Sequence, residues 1–131
     1  MTNCESVSPD PEAPRDHLDE EHRTILEMQA NFCRTMGHPI RLFILHYINH
    51  SSGEVGSSEL AEKAGISRAT LSQHLGKMTA VGLVCTRREG KYVYVRLARA
   101  EIGQACELVH GALQSELRER AKLLENPEGE K

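Results

Sequence analysis

A chain of 131 residues, 39% hydrophobic and 27% charged with a formal net charge of −3, is long enough to bury one real core and has the make-up of a soluble globular domain. No apolar run approaches the ~20 residues of a membrane helix and no signal-peptide pattern opens the chain, which excludes a membrane-spanning helix and sets a cytoplasmic protein without membrane partners as the expectation. Cys4, Cys33, Cys85 and Cys106 lie far apart with no CxxC, so reduced thiols are expected, not a disulfide framework.

The charge is unevenly spread. Residues 1–30 hold 8 acids and 2 bases, whereas residues 63–99 hold 8 bases and one acid. A strongly basic block between acidic ends is a localised anion-facing surface, which the negative average conceals.

In chain order, residues 1–15 combine Pro9, Pro11 and Pro14 with Ser, Asp and Glu and read as a disordered tail. A folded domain is expected over 16–125, and "NPEGEK" makes 126–131 a second disordered tail. Residues 16–36 read as a helix: Leu18, Ile25 and Phe32 recur every seven residues, with Leu26 and Cys33 alongside. "GHP" breaks it. Pro39 suits the first turn of the next helix, where its missing N–H has no partner to lose, and His38 caps or packs beside it. That helix is apolar nearly all round and therefore central. "NHSSGEVG" is loop, with a short strand near Val55.

"SSELAEKAGISRATLSQHLGKMTAVGL" reads as two helices and a tight turn. Ser57 or Ser58 caps the first, and Gly65 supplies the left-handed residue at its end. Ser67 caps the second, whose buried stripe is Leu71, Leu75 and Met78. Gly82 ends it, with Leu83 placed for the apolar contact that follows such a cap. "LVCTRREGKYVYVRL" is a hairpin turning at Glu89-Gly90-Lys91. The last helix, about 100–124, carries Ile102, Ala105, Cys106, Val109, Leu113, Leu117, Ala121 and Leu124 along one line. That stripe is longer than a small core needs and implies a partner helix from a second copy of the chain.

This order makes a mainly α fold with a small β-hairpin wing: a winged helix-turn-helix, dimerising through its first and last helices. The second helix of such a pair fits the major groove of double-stranded DNA. A face that meets base edges needs side chains that donate and accept at short range, and Ser67, Arg68, Thr70, Ser72 and Gln73 supply them. Arg68 and Gln73 are the expected base readers and Lys77 a phosphate contact. Arg87, Arg88 and Lys91 on the hairpin can lie along the backbone or over the minor groove. The same fold also serves as a protein-interaction module without DNA, the alternative for this chain. An enzyme is not expected, because no Gly-rich phosphate loop, nucleophile elbow or paired-acid cleft is evident. With three Tyr, two Phe and no Trp, single-strand binding by base stacking is poorly supported.

"HPIRLFIL", "SSELAEKAGISRATLSQHLGKMTAVGLV" and "RREGKYVYVRL" together resemble the ArsR/SmtB family of bacterial dimeric repressors, over about residues 32–97. The resemblance implies a homodimer on a roughly palindromic operator, released by an inducer, with Ser67, Arg68, Thr70, Ser72 and Gln73 at DNA-contact positions. The family's sensing sites do not carry over. Gly56 and Ser58 stand where a "CxC"-type pair is expected. Arg99 and Glu101 replace an Asp/His set, and Ala112 and Ser115 its distal pair.

Three roles are open to the cysteines. Cys33 and Cys106 are small packing residues, or a thiol switch driven by oxidation or reactive sulfur. With Cys4 they could also form a three-thiolate site for a soft metal or metalloid such as arsenite. No cofactor is needed for DNA binding. His17 and His22 are five apart, poor for sharing a metal; Cys106 and His110 at i, i+4 are better spaced, but two ligands are not a site, and no metal site is assigned.

Overall fold

The computed structural model describes residues 19–125; both expected tails and Cys4 lie outside them. The elements are α1 (Glu20–Met36), α2 (Pro39–Asn49), β1 (Val55–Gly56), α3 (Ser57–Ala64), α4 (Arg68–Ala80), β2 (Val84–Glu89), β3 (Tyr92–Leu97) and α5 (Ala100–Glu125). The sheet is antiparallel in the order β1-β3-β2. Among the described residues, no helix is long and apolar enough to cross a membrane.

Local chemistry sets the helix boundaries. Asp19 caps α1 by accepting from the His22 amide, and Glu20 and Glu21 in the first turn favour its positive end. His38 caps α2 through Nδ1, which accepts from the Ile40 amide, with Pro39 in the first turn. Two helices end alike. Gly65 (φ 71°) closes α3 with Ile66 N–H on the Ala61 carbonyl and its own N–H on that of Glu62. Gly82 (φ 83°) closes α4 with Leu83 N–H on the Met78 carbonyl and its own N–H on that of Thr79. Each is the paired-bond cap that an αL residue makes possible.

Two boundaries differ from the sequence expectation. Neither Ser57 nor Ser58 caps α3; the cap is Gly56, with no side-chain bond. Gly56 pairs with Tyr94 across the sheet, so the strand delivers the chain into the helix directly. The hairpin loop is shorter than expected, because Glu89 pairs with Tyr92. Only Gly90 and Lys91 remain, with positive φ at Gly90 alone, as a type II′ turn requires.

The core joins α2, α3, α4 and the sheet through Ile44, Leu45, Ile48, Leu60, Leu71, Met78, Leu83, Val84 and Val95, all at most 2% exposed. α1 contributes no buried residue, although Phe32 and Met36 pack against the core edge. α5 meets α2 where its buried Gly103 passes Asn49. From Ala112 onward every described residue of α5 is exposed. The apolar line read from the sequence is thus uncovered in one protomer: Val109, Leu113, Leu117 and Leu124 are all more than half exposed, as are Ile25 and Met28 on α1.

Candidate nucleic-acid interface

α4 buries Leu71, Leu75 and Met78 and leaves the rest of its surface open. At 3.6 residues per turn, Arg68, Ser72 and Thr79 fall on one flank of the open face. Thr70, Gln73 and Lys77 fall on the other, with Ala69, Gly76 and Ala80 between them. The middle of the face is therefore small and its edges polar, a shape that admits a groove wall close to the backbone.

Ser67 holds the helix start: its Oγ accepts from the Thr70 amide and donates to Thr70 Oγ1, both at 3.0 Å. These two hydroxyls satisfy one another, while Arg68, Ser72, Gln73 and Lys77 have no side-chain hydrogen bond among the described residues. The second group is the better furnished for an outside partner.

The hairpin divides the expected wing residues between two faces. Val84, Thr86 and Arg88 alternate with Cys85, Arg87 and Glu89, and the first set faces the core side, where Val84 and Val95 are buried. Arg88 and Thr86 line an open groove with Arg68, Ser72 and Thr79 of α4. Arg87 points the other way. It donates twice to Glu54, at 2.9 Å each, and once to Glu89 at 2.7 Å, and lies 4.6 Å from the Tyr94 ring centre. The hydrogen bond from Arg87 holds the Glu54 carboxyl below its usual range. Arg88 makes no ion pair among the described residues, and the Lys91 ammonium sits 5.7 Å from the Tyr92 ring centre.

His74 packs within the protein. Its Nδ1 accepts from Arg41 Nε at 3.1 Å, and its ring meets His38 edge-on at 4.8 Å. Burial, then the charges of His38, Arg41 and Lys77, push its pKa down.

The structure separates the two described sensor cysteines in character. Cys33 is exposed on α1. Cys106 is half-buried, with its thiol 3.8 Å from Met36 Sδ, and burial, followed by Glu107, pushes its pKa up. That disfavours the thiolate, the reactive form. The Cys106–His110 pair is overshadowed by a cluster unforeseen from the sequence, formed by His46 and His50 of α2 with Glu107 of α5. The spacing of the two histidines was visible in the chain; their meeting with α5 was not.

A family profile described as a helix-turn-helix domain matches residues 36–87. The chain is 39% identical over 75 residues to a biofilm growth-associated repressor of Xylella fastidiosa, covering 57% of this chain and 64% of that protein, so it spans just under two thirds of that relative. It is 36% identical over 81 residues to the repressor of the same description in Agrobacterium fabrum, covering 62% of this chain and 68% of that protein. The solved homodimeric winged helix-turn-helix DNA-binding domain of Mb0332 from Mycobacterium bovis, described as a possible ArsR-family regulator, superposes with a TM-score of 0.69 at 25% identity, over 79% of this chain and 94% of that one. With the helix–turn–helix, the hairpin wing and these relatives in agreement, the chain belongs to the ArsR family of winged helix-turn-helix transcriptional regulators.

Proposed function

We propose that the chain is a homodimeric transcriptional repressor that binds a roughly palindromic double-stranded operator and is released by an inducer. The observation that carries this is the open groove between α4 and the hairpin, where Arg68 and Arg88 stand without a carboxylate partner among the described residues. Arg68 and Gln73 meet base edges in the major groove; Lys77 and Arg88 meet phosphates. The dimer forms through the uncovered apolar faces of α1 and α5, which places two recognition helices about one helical turn of DNA apart. Homodimeric Mb0332 and the two repressor relatives support the reading. Within it, Cys33 is, among the described cysteines, the one most open to a reactive inducer.

The test is fluorescence anisotropy with DNA from upstream of the chain's own gene. Affinity should fall steeply with salt, as phosphate contacts demand. Arg68→Ala should cost about 1–3 kcal/mol of discrimination at one base pair. Salt-insensitive binding, or none to any duplex, would instead favour a protein-interaction module.

A further inference from the structure

DNA binding and dimerisation leave one cluster of side chains unexplained. His46 lies in the last turn of α2 and His50 caps it, four residues apart and hence on one face. α5 comes close to α2 at Gly103 and Asn49 and presents Glu107 one turn further on. There Glu107 Oε2 lies 2.7 Å from His50 Nε2. The ligand-capable atoms of His46, His50 and Glu107 all lie within 4.8 Å of one another. The ring centres of His46 and His50 are 4.3 Å apart, and His110, three residues beyond Glu107, brings a third imidazole to 5.1 Å from His46.

A hydrogen bond accounts for His50 and Glu107 only. It leaves His46 and His110 with ring contacts and no side-chain hydrogen bond among the described residues. Three imidazoles gathered beside one carboxylate suit a different occupant. We propose that His46, His50 and Glu107 bind a divalent transition-metal ion of the zinc class, with His110 beside them for the fourth position.

The donor set selects the metal. Imidazole nitrogen and carboxylate oxygen suit zinc, cobalt or nickel; magnesium and calcium call for oxygen donors, and soft ions for thiolate. Histidines at i, i+4 on one helix and a Glu-x-x-His pair on its neighbour are spacings that put donors on facing surfaces. Bonds of about 2.0–2.1 Å in a tetrahedron set donors about 3.3 Å apart, so the widest pair, at up to 4.8 Å, has to close by about 1.5 Å, while His50 Nε2 and Glu107 Oε2, at 2.7 Å, open slightly as the ion enters between them. His50 and Glu107 are open enough to solvent to turn. The positions matching the family's own sensing sites, Gly56, Ser58, Arg99, Glu101, Ala112 and Ser115, contain none of these four donors.

Such an ion would tie α2 to α5. α2 also holds the recognition helix, through Arg41 and His74, while α5 carries the uncovered apolar stripe. The metal would therefore fix the angle between the dimer helix and the recognition helix, and with it the spacing of the two DNA-reading heads. This regulatory consequence rests on the DNA-binding reading; the site itself does not.

The site is tested on the metal-free full-length protein without DNA. Titration with Co2+ should give the visible bands of a four-coordinate nitrogen–oxygen site at one ion per protomer, and Zn2+ should displace it. Zinc affinity, measured against a chromophoric chelator, should fall by at least about 100-fold in His46→Ala and in Glu107→Gln, beyond the usual effect of an outer-shell change. His22→Ala should leave it unchanged, and circular dichroism should show every variant folded. Binding that survives in His46→Ala/Glu107→Gln overturns the proposal. So does a thiolate charge-transfer band lost in Cys33→Ser, or no Co2+ binding in the wild type. Operator affinity is then measured with and without Zn2+: a change that disappears in His46→Ala supports the coupling, and equal affinities overturn it while leaving the site intact.

Discussion

Arg41 of α2 donates through Nε to Nδ1 of His74 on α4 at 3.1 Å, and through Nη1 to the Thr35 carbonyl of α1 at 3.1 Å. One guanidinium thus ties three helices, and it requires His74 to be neutral with its proton on Nε2. Protonating Nδ1 would break the bond and set a new cation beside Arg41, Lys77 and the ring of His38.

Stability should therefore fall on mild acidification. Burial holds the folded-state pKa of His74 below its ordinary 6.5, so the unfolded chain takes up the proton first as pH drops. The contribution is complete above pH 6.5 and is lost as pH falls from there through the lowered folded value. Urea midpoints at about pH 7.5 and about pH 5.5 should diverge in the wild type and diverge less in His74→Gln. An identical pH dependence in the two proteins would remove His74 from this role.

The hairpin predicts unequal effects from adjacent arginines. Arg88 faces the α4 groove, whereas Arg87 is paired with Glu54 and Glu89 on the opposite face. Arg88→Ala should weaken binding to all sequences alike and reduce the slope of log affinity against log salt by about 1. Arg87→Ala should leave that slope unchanged and lower the melting temperature slightly, through loss of the Glu54 bridge. Equal slopes in the two variants would show that the two-face assignment is wrong.

The order of elements was legible because its signals are local: Pro39 in a first turn, Ser67 as a cap, Gly65 and Gly82 as left-handed ends. What escaped the sequence depends on partners far along the chain. The cap of α3 moved to Gly56 because β1 pairs with β3, forty residues away in the chain at Val55 and Val95. The opposite orientation of Arg87 and Arg88 follows from strand alternation, but which one faces α4 is decided by the burial of Val84 and Val95. The polar side chains of α4 proposed to meet DNA could be identified by residue type and helical spacing, and the structure leaves Arg68, Ser72, Gln73 and Lys77 open to solvent. The histidine cluster could not be identified that way, since His50 and Glu107 are 57 residues apart and meet only where Gly103 lets α5 approach.

Gly76 sits in the interior of α4 with ordinary negative φ and open space where a Cβ would be. Alanine there should stabilise the free protein by about 0.8–1.0 kcal/mol from helix propensity alone, raising the melting temperature by several degrees. Yet Gly76 lies mid-face between the polar flanks, where a methyl would hold the helix away from the groove floor. Gly76→Ala should bind the operator more weakly while melting higher. Stabilisation with undiminished affinity would place the DNA contact elsewhere on α4.

Gly103 should answer the same substitution with the opposite sign. It is buried on α5, and a Cβ would come within 2.6 Å of Asn49 Cγ and 2.9 Å of Leu97 Cδ1, with Asn49 Oδ1 nearer still. Propensity again favours alanine by about 1 kcal/mol, but overpacking of this kind costs about 1–3 kcal/mol, and two elements have to give way together. Gly103→Ala should be destabilised by up to about 2 kcal/mol net, read as a lower urea midpoint at unchanged slope. Because the methyl pushes α5 from α2 just one turn before Glu107, zinc affinity should fall in the same variant although no ligand has been altered. A destabilised protein with wild-type zinc affinity would mean that Asn49 and Leu97 absorb the strain and the helix axis stays where it is.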